Sequence, residues 1–131
     1  MKLHFKSDRD SDFLRAYSEV ISSYGVIAPY ICKSQLIRET IEKSPTQFYV
    51  SYPQAFRVLS RMIKGGETEI RRPEKKLMYI EMAELVKSKL ATSDMPMHQA
   101  IYEVINMPPS KFYITFESAQ LLLYTLLKNK A

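Results

Sequence analysis

The side chains with the clearest chemical potential are cations, and they fall into two groups. Arg57, Arg61 and Lys64 stand four and three residues apart, so on a helix they form one stripe. Such a stripe can track the phosphates of a nucleic-acid backbone, or simply serve as a solvated face. Arg71, Arg72, Lys75 and Lys76 crowd around Pro73 at the start of an expected helix. Four cations there oppose the positive end of the helix dipole, which costs a little stability and favours an anionic partner. Glu67, Glu69 and Glu74 are near enough in sequence to neutralise that second group locally. Tyr49 and Tyr113 complete the set, as rings for stacking on exposed bases or as core aromatics with hydroxyls on backbone partners.

The inventory for covalent or metal chemistry is thin. His4 and His98 are far apart in the chain, without clustered cysteines or carboxylates to build a metal site. Cys32 has no nearby histidine and reads as a buried small hydrophobe. Three glycines cannot form a phosphate-cradling loop. The pairs Glu39/Glu42 and Glu81/Glu84 have the spacing of solvated helix surface. These features argue against an enzyme, so no catalytic residue, metal, cofactor or small-molecule substrate is expected.

The net charge of +5 and a pI near 9.3 favour a polyanionic partner, weakly. A hydrophobic content of 46% against 25% charged residues suits a folded chain rather than a disordered one. A single cysteine rules out an intrachain disulfide and fits a reducing compartment. The polar N-terminus has no apolar signal region. The longest apolar run, 121–127, is far short of the ~20 residues of a membrane span. A cytoplasmic location without membrane attachment is therefore expected.

Six helices must position the cations. Ser11 and Asp12 are candidate N-caps for a first helix in which Phe13, Tyr17, Val20, Ile21 and Tyr24 share a face, stopped by Gly25. The apolar connector 26–31 is expected to tuck under the core. A second helix over 32–43 presents Leu36, Ile37 and Ile41 and ends before Pro45. Residues 48–52 alternate, with Phe48, Val50 and Tyr52 on one side and Tyr49 and Ser51 on the other. Ser51 and Gln54 fit a capping box for a third helix with Ala55, Phe56, Leu59, Met62 and Ile63 inward, stopped at Gly65-Gly66. A linker over 67–73, with Ile70 tucked in, leads to a long helix over 74–90 carrying Met78, Met82, Leu85, Val86 and Leu90. A fifth helix over 96–107, capped by Ser93 and Asp94, buries Ala100, Ile101, Val104 and Ile105. A second aromatic stretch leads to Thr115 as N-cap of a last helix over 116–128.

The chain repeats itself. At an offset of 64, residues 33–64 and 97–128 agree at Gln35/Gln99, Ile37/Ile101, Glu39/Glu103, Ile41/Ile105 and Pro45/Pro109. They agree again at Phe48/Phe112, Tyr49/Tyr113, Ala55/Ala119, Leu59/Leu123 and Lys64/Lys128. Upstream, Glu19-Val20-Ile21 aligns with Glu84-Leu85-Val86 after a one-residue slip. The expected fold is thus mainly α, a tandem repeat of a three-helix unit with a short extended aromatic stretch before each last helix. The repeats span 1–66 and 67–131. Each is near the lower size limit for independent stability, so one shared core is expected. The aromatic stretches either pair as a two-stranded ribbon or each lie across helices.

The copies diverge in the helix after the aromatic stretch. Arg57 and Arg61 in the first copy become Leu121 and Thr125 in the second. The last helix carries Leu121, Leu122, Leu123, Tyr124, Leu126 and Leu127, more than a one-sided amphipathic helix needs. Leu121, Tyr124 and Leu127 are its candidate interaction face.

The two cassettes are Ser44-Pro45-Thr46-Gln47-Phe48-Tyr49-Val50-Ser51 with Ala55, and Pro108-Pro109-Ser110-Lys111-Phe112-Tyr113-Ile114-Thr115 with Ala119. This pattern resembles a family of short uncharacterised bacterial proteins in which a helix, such a stretch and an alanine-containing helix often occur twice. The resemblance covers most of 33–64 and 97–128 and implies no activity. The layout is also similar to helix-turn-helix DNA binders, but departs from their three- or four-residue turn, since residues 44–51 intervene here. The expected function is non-enzymatic binding of nucleic acid, DNA in preference to RNA, in a regulatory role. The alternative is a protein–protein module, possible homodimers included, that uses the apolar last helix.

Overall fold

The computed structural model describes residues 2–66 and 70–130, and every regular element among them is helical. In chain order these are α1 (Lys2–Tyr24), a 3-10 helix (Gly25–Tyr30), α2 (Lys33–Ile41), α3 (Tyr52–Ile63), α4 (Pro73–Thr92), α5 (Met97–Ile105) and α6 (Phe116–Lys130). The mainly helical class expected from periodicity is what the chain adopts. The aromatic stretches are irregular backbone rather than strands, so among the described residues no ribbon forms.

The helices gather into two compact units, Met1–Pro45 with Ser110–Ala131, and Thr46–Pro109. The first contains α1, α2 and α6, the second α3, α4 and α5. Both units therefore draw helices from either side of the expected boundary at residue 66. The chain passes from one unit to the other at Pro45/Thr46 and Pro109/Ser110, the two points where the cassettes carry their shared proline.

In the first unit Phe13, Ala16, Tyr17 and Val20 of α1 meet Leu36, Ile37 and Ile41 of α2, with Phe112, Ala119 and Leu123 completing the core. The Phe112 ring stands edge-on to Phe13, centroids 5.2 Å apart, an arrangement that aromatic quadrupoles favour. The Phe112 N–H donates to the Ile41 carbonyl at 2.8 Å, satisfying an acceptor that the end of α2 would leave open. In the second unit Tyr79, Met82, Ala83 and Val86 of α4 are buried. So are Ala100, Ile101, Val104 and Ile105 of α5, the four expected there. Ala55, Val58 and Leu59 of α3 are buried too, as are Phe48 and Val50.

The burial pattern repeats at fixed offsets. Leu36, Ile37, Thr40 and Ile41 correspond to Ala100, Ile101, Val104 and Ile105, and Ala55 and Leu59 to Ala119 and Leu123, all at 64. For α1 and α4 the offset is 66, pairing Phe13, Ala16, Tyr17 and Val20 with Tyr79, Met82, Ala83 and Val86. Matching identical letters around Glu19 and Glu84 selects a different register, because it aligns exposed as well as inward positions.

Several local expectations need correction. Ser11 and Asp12 do not cap a helix; α1 runs through them. Arg15 donates to Asp12 and, at 3.0 Å, to Glu19, and pairs at these spacings support the helix where it continues past Asp12. The connector 26–31 is not tucked in. Within the 3-10 turn only Ala28 is buried, and Ile31, the extended residue that ends it, packs against the core, while Val26 and Tyr30 are 91% and 87% exposed. Cys32 is exposed at the N-cap of α2, not buried. Phe56 is exposed, and Val58 takes its place on the inward face of α3.

The helix ends behave as the punctuation requires. Gly25 and Gly65 take φ of 62° and 91° after α1 and α3, a region open to glycine without steric penalty. Gly65 N–H bonds to the Met62 carbonyl and Gly66 N–H to the Arg61 carbonyl, closing α3 with a Schellman motif. Ser51 sits at the N-cap of α3 without a side-chain cap bond, so the expected capping box is not made. Thr115 does cap α6, its hydroxyl accepting from Ser118 N–H at 3.2 Å.

Because the Phe112 ring fills the first unit's core, Phe112→Ala is expected to destabilise it by about 3–5 kcal/mol. Urea unfolding followed by circular dichroism checks this.

Candidate nucleic-acid interface

On α3 the inward set is Ala55, Val58 and Leu59, with Met62 half-buried. At 100° per residue, Arg57, Arg61 and Lys64 centre about 140° from that set, and all three are exposed. Lys64 is the C-cap residue, so the stripe occupies the C-terminal half of the helix. No Asp or Glu occurs between Lys43 and Gly66. The field along this helix is therefore unopposed by its own carboxylates.

The second cationic group belongs to the same unit. Arg72 is the N-cap of α4, Pro73 its first residue, and Lys76 N–H bonds back to the Arg72 carbonyl at 2.9 Å. Arg71, Arg72 and Lys76 are exposed, and Lys75 is half-buried. Glu74 lies in the first turn, where its charge suits the helix dipole. Neutralisation by Glu67 and Glu69 falls outside the described residues. Ile70, just before the group, is half-buried as expected.

Tyr79 follows the second group on α4. It is fully buried, one turn beyond Lys75 and Lys76, and its hydroxyl has no hydrogen-bond partner. Burial pushes the phenol up to about 12, and only the Arg57 charge pulls the other way.

Tyr49 and Tyr113 are both half-buried. The Tyr49 hydroxyl lies 3.0 Å from the Thr46 hydroxyl, and that of Tyr113 lies 3.4 Å from Ser110. The Lys111 ammonium sits 5.8 Å from the Tyr113 ring centre. A different set of rings lies on the surface of the second unit. Tyr52 contacts Phe56 at 5.9 Å and Tyr102 at 6.3 Å between centroids. Tyr102 and Phe56 are 58% and 39% exposed. Sequence reasoning missed this cluster by assigning Phe56 to the core; the i, i+4 spacing of Tyr52 and Phe56 was the available signal.

Elsewhere the polar groups largely serve one another. In the first unit α1 and α2 border a shallow groove of about 620 Å³ rimmed by Arg38, Glu39, Glu42 and Lys43. Tyr24 donates to Glu39, and the Gln35 amide donates to both at 3.0 and 3.2 Å. The Arg38 guanidinium lies over the Phe116 ring at 4.6 Å. The Ser34 hydroxyl, then the N–H groups of Ser34 and Gln35, lower the Cys32 thiol pKa. His98 is exposed, and the His4 side chain is outside the described set. Among the described residues no group of three or more His, Cys, Asp or Glu could hold a metal ion. No described helix is long and apolar enough to cross a membrane.

Leu121, Tyr124 and Leu127 of α6 are 68%, 61% and 36% exposed, while Leu123 is fully buried. The three share a stripe by their spacing of three. Comparison with protein-family models, with curated proteins and with solved structures finds no match.

The unpartnered Tyr79 hydroxyl gives a stability prediction. Its folded pKa of about 12 lies above the ordinary value of 10.0, so from pH 10 to 12 the folded state keeps a proton that the unfolded state releases. Stability should fall as pH rises through this window, with Tyr79's share approaching about 1.4 kcal/mol per pH unit. Tyr79→Phe should remove that share and, at neutral pH, leave stability unchanged or raise it by about 1 kcal/mol. Urea titrations of both proteins across the pH range check the sign.

Proposed function

We propose that this chain is a non-enzymatic nucleic-acid-binding protein, DNA in preference to RNA, acting in a regulatory role in the cytoplasm. The observation that carries the reading is the exposed Arg57–Arg61–Lys64 stripe on a helix without acidic residues. Arg71, Arg72, Lys75 and Lys76 belong to the same compact unit and add phosphate-binding capacity.

The same proposal treats 1–66 and 67–131 as tandem copies of a three-helix unit whose last helices are exchanged. The matching burial at α2/α5 and α3/α6 supports it. Kinship with the bacterial proteins that carry the duplicated cassette belongs to this reading and rests on the motif in both copies.

Phosphate contacts make affinity fall with salt, log K dropping by about 0.9 per contact for each unit of log[salt] on duplex DNA. Arg57→Ala with Arg61→Ala should therefore flatten the slope by about 1.8, measured by anisotropy of a labelled duplex. No binding at low salt, or an unchanged slope, refutes the proposal.

A second reading is favoured by the exposed apolar stripe of α6. Under it Leu121, Tyr124 and Leu127 mediate self-association as a homodimer or dock a partner protein. Sedimentation velocity should show concentration-dependent dimerisation that Leu121→Lys with Tyr124→Lys abolishes. A wild-type monomer throughout the micromolar range eliminates the homodimer.

A further inference from the structure

The surface of the second unit holds a feature that the basic stripe alone does not explain. Tyr52 and Phe56 of α3 and Tyr102 of α5 form a contiguous aromatic cluster in which Phe56 and Tyr102 are exposed. Such rings lose favourable free energy in water unless something covers them.

The α3 geometry places this cluster beside the cations. Around the helix, Tyr52, Phe56 and Ile63 lie within about 40° of one another, between the buried set and the basic stripe. Pro53 and Ser60 separate the aromatic row from Arg57, Arg61 and Lys64. On a helix about 11 Å across, the two rows are about 9 Å apart, comparable to the reach from a phosphate to its base. A strand whose phosphates follow the stripe can therefore lay its bases on the rings.

The electrostatics suit a polyanion. On the face of α5 that carries Tyr102, the i±4 neighbours are His98 and Asn106, neither of them acidic. The adjacent carboxylate, Glu103, accepts from Lys89 at 3.2 Å and from Gln99 at 3.1 Å. Those two bonds hold its pKa below the usual range.

We propose that Tyr52, Phe56 and Tyr102 form a stacking platform for unpaired bases of single-stranded DNA, whose phosphates are held by Arg57, Arg61 and Lys64. This inference rests on the nucleic-acid reading above and specifies its ligand. Duplex DNA keeps its base faces stacked internally and offers them nothing. A single strand presents a π-face at every base, so binding is tolerant of sequence.

The test is an anisotropy titration of the full chain with oligo-dT of about 15 nucleotides, matching the site sizes of stacking proteins. A hairpin duplex and an oligo-U of the same length run in parallel. The expected result is oligo-dT bound at least about tenfold more tightly than the duplex. Tyr102→Ala should weaken oligo-dT binding by about fivefold or more, with the salt slope unchanged, while Tyr102→Phe retains it. Tyr102 is largely exposed, so its variants should fold, and circular dichroism verifies that; Phe56→Ala provides an independent second variant. If the duplex binds equally well and Tyr102→Ala has no effect while the slope still depends on Arg57 and Arg61, the platform is refuted and the basic stripe stands. Tighter binding of oligo-U than oligo-dT overturns the assignment to DNA. Failure of all three probes at low salt overturns both the platform and the nucleic-acid reading.

Discussion

At Phe112 the backbone N–H reaches the Ile41 carbonyl at 2.8 Å while the ring meets Phe13 edge-on, and the partition of the chain follows from these two contacts. Ile41 is the last residue of α2, where a helix has carbonyls that its own backbone cannot satisfy. The second aromatic stretch supplies a donor there and a ring for the core in the same step. Once Phe112 is fixed, α6 follows within a few residues and lands its Ala119 and Leu123 against α1 and α2. The first stretch and α3 serve the other unit, where Phe48, Ala55 and Leu59 are buried. Each unit is so small that two helices and a connector cannot bury enough apolar surface alone. The third helix is a requirement, and each half of the chain supplies the one the other half's first two helices use.

That exchange decides which chemistry shares a unit. α3 and α6 follow similar cassettes, and their inward positions Ala55/Ala119 and Leu59/Leu123 agree, as packing requires. Their outward positions are free to differ. On α3 they are Arg57 and Arg61; on α6 they are Leu121 and Thr125. The exchange puts α3 with α4, whose first turns carry Arg72, Lys75 and Lys76, and with α5, which contributes Tyr102. The basic and aromatic surface is assembled from both halves of the chain, while the apolar α6 stripe belongs to the unit that lacks these cations.

Phe13 and Tyr79 show how one extra atom separates matching core positions. Phe13 buries an apolar ring against Phe112. Tyr79 takes the corresponding place in the second unit with a hydroxyl that has no partner. A buried unmet donor is costly, and this one lies in the unit that carries the cationic surface.

Much of the local structure was legible without coordinates. Helical periodicity located all six helices, the four buried residues of α5 were named in full, and Gly25 and Gly65 marked the ends of α1 and α3. These are short-range properties, set by backbone sterics and by the spacing of apolar side chains, and a sequence determines them directly. The cationic stripe was legible for the same reason. Three features depended on tertiary context. Val26 and Tyr30 are apolar yet exposed, while Ala28 of the 3-10 turn and Ile31 after it face inward. Phe56 has the same i, i+4 logic as a core residue, but its outward angle is set by where α5 packs. Above all, adjacency in sequence assigned α3 to the helices before it, whereas the Phe112–Ile41 contact assigns α6 there. Periodicity reveals that a helix has an apolar face; which of two similar partners covers it is decided only when chain connectivity and core volume are satisfied together.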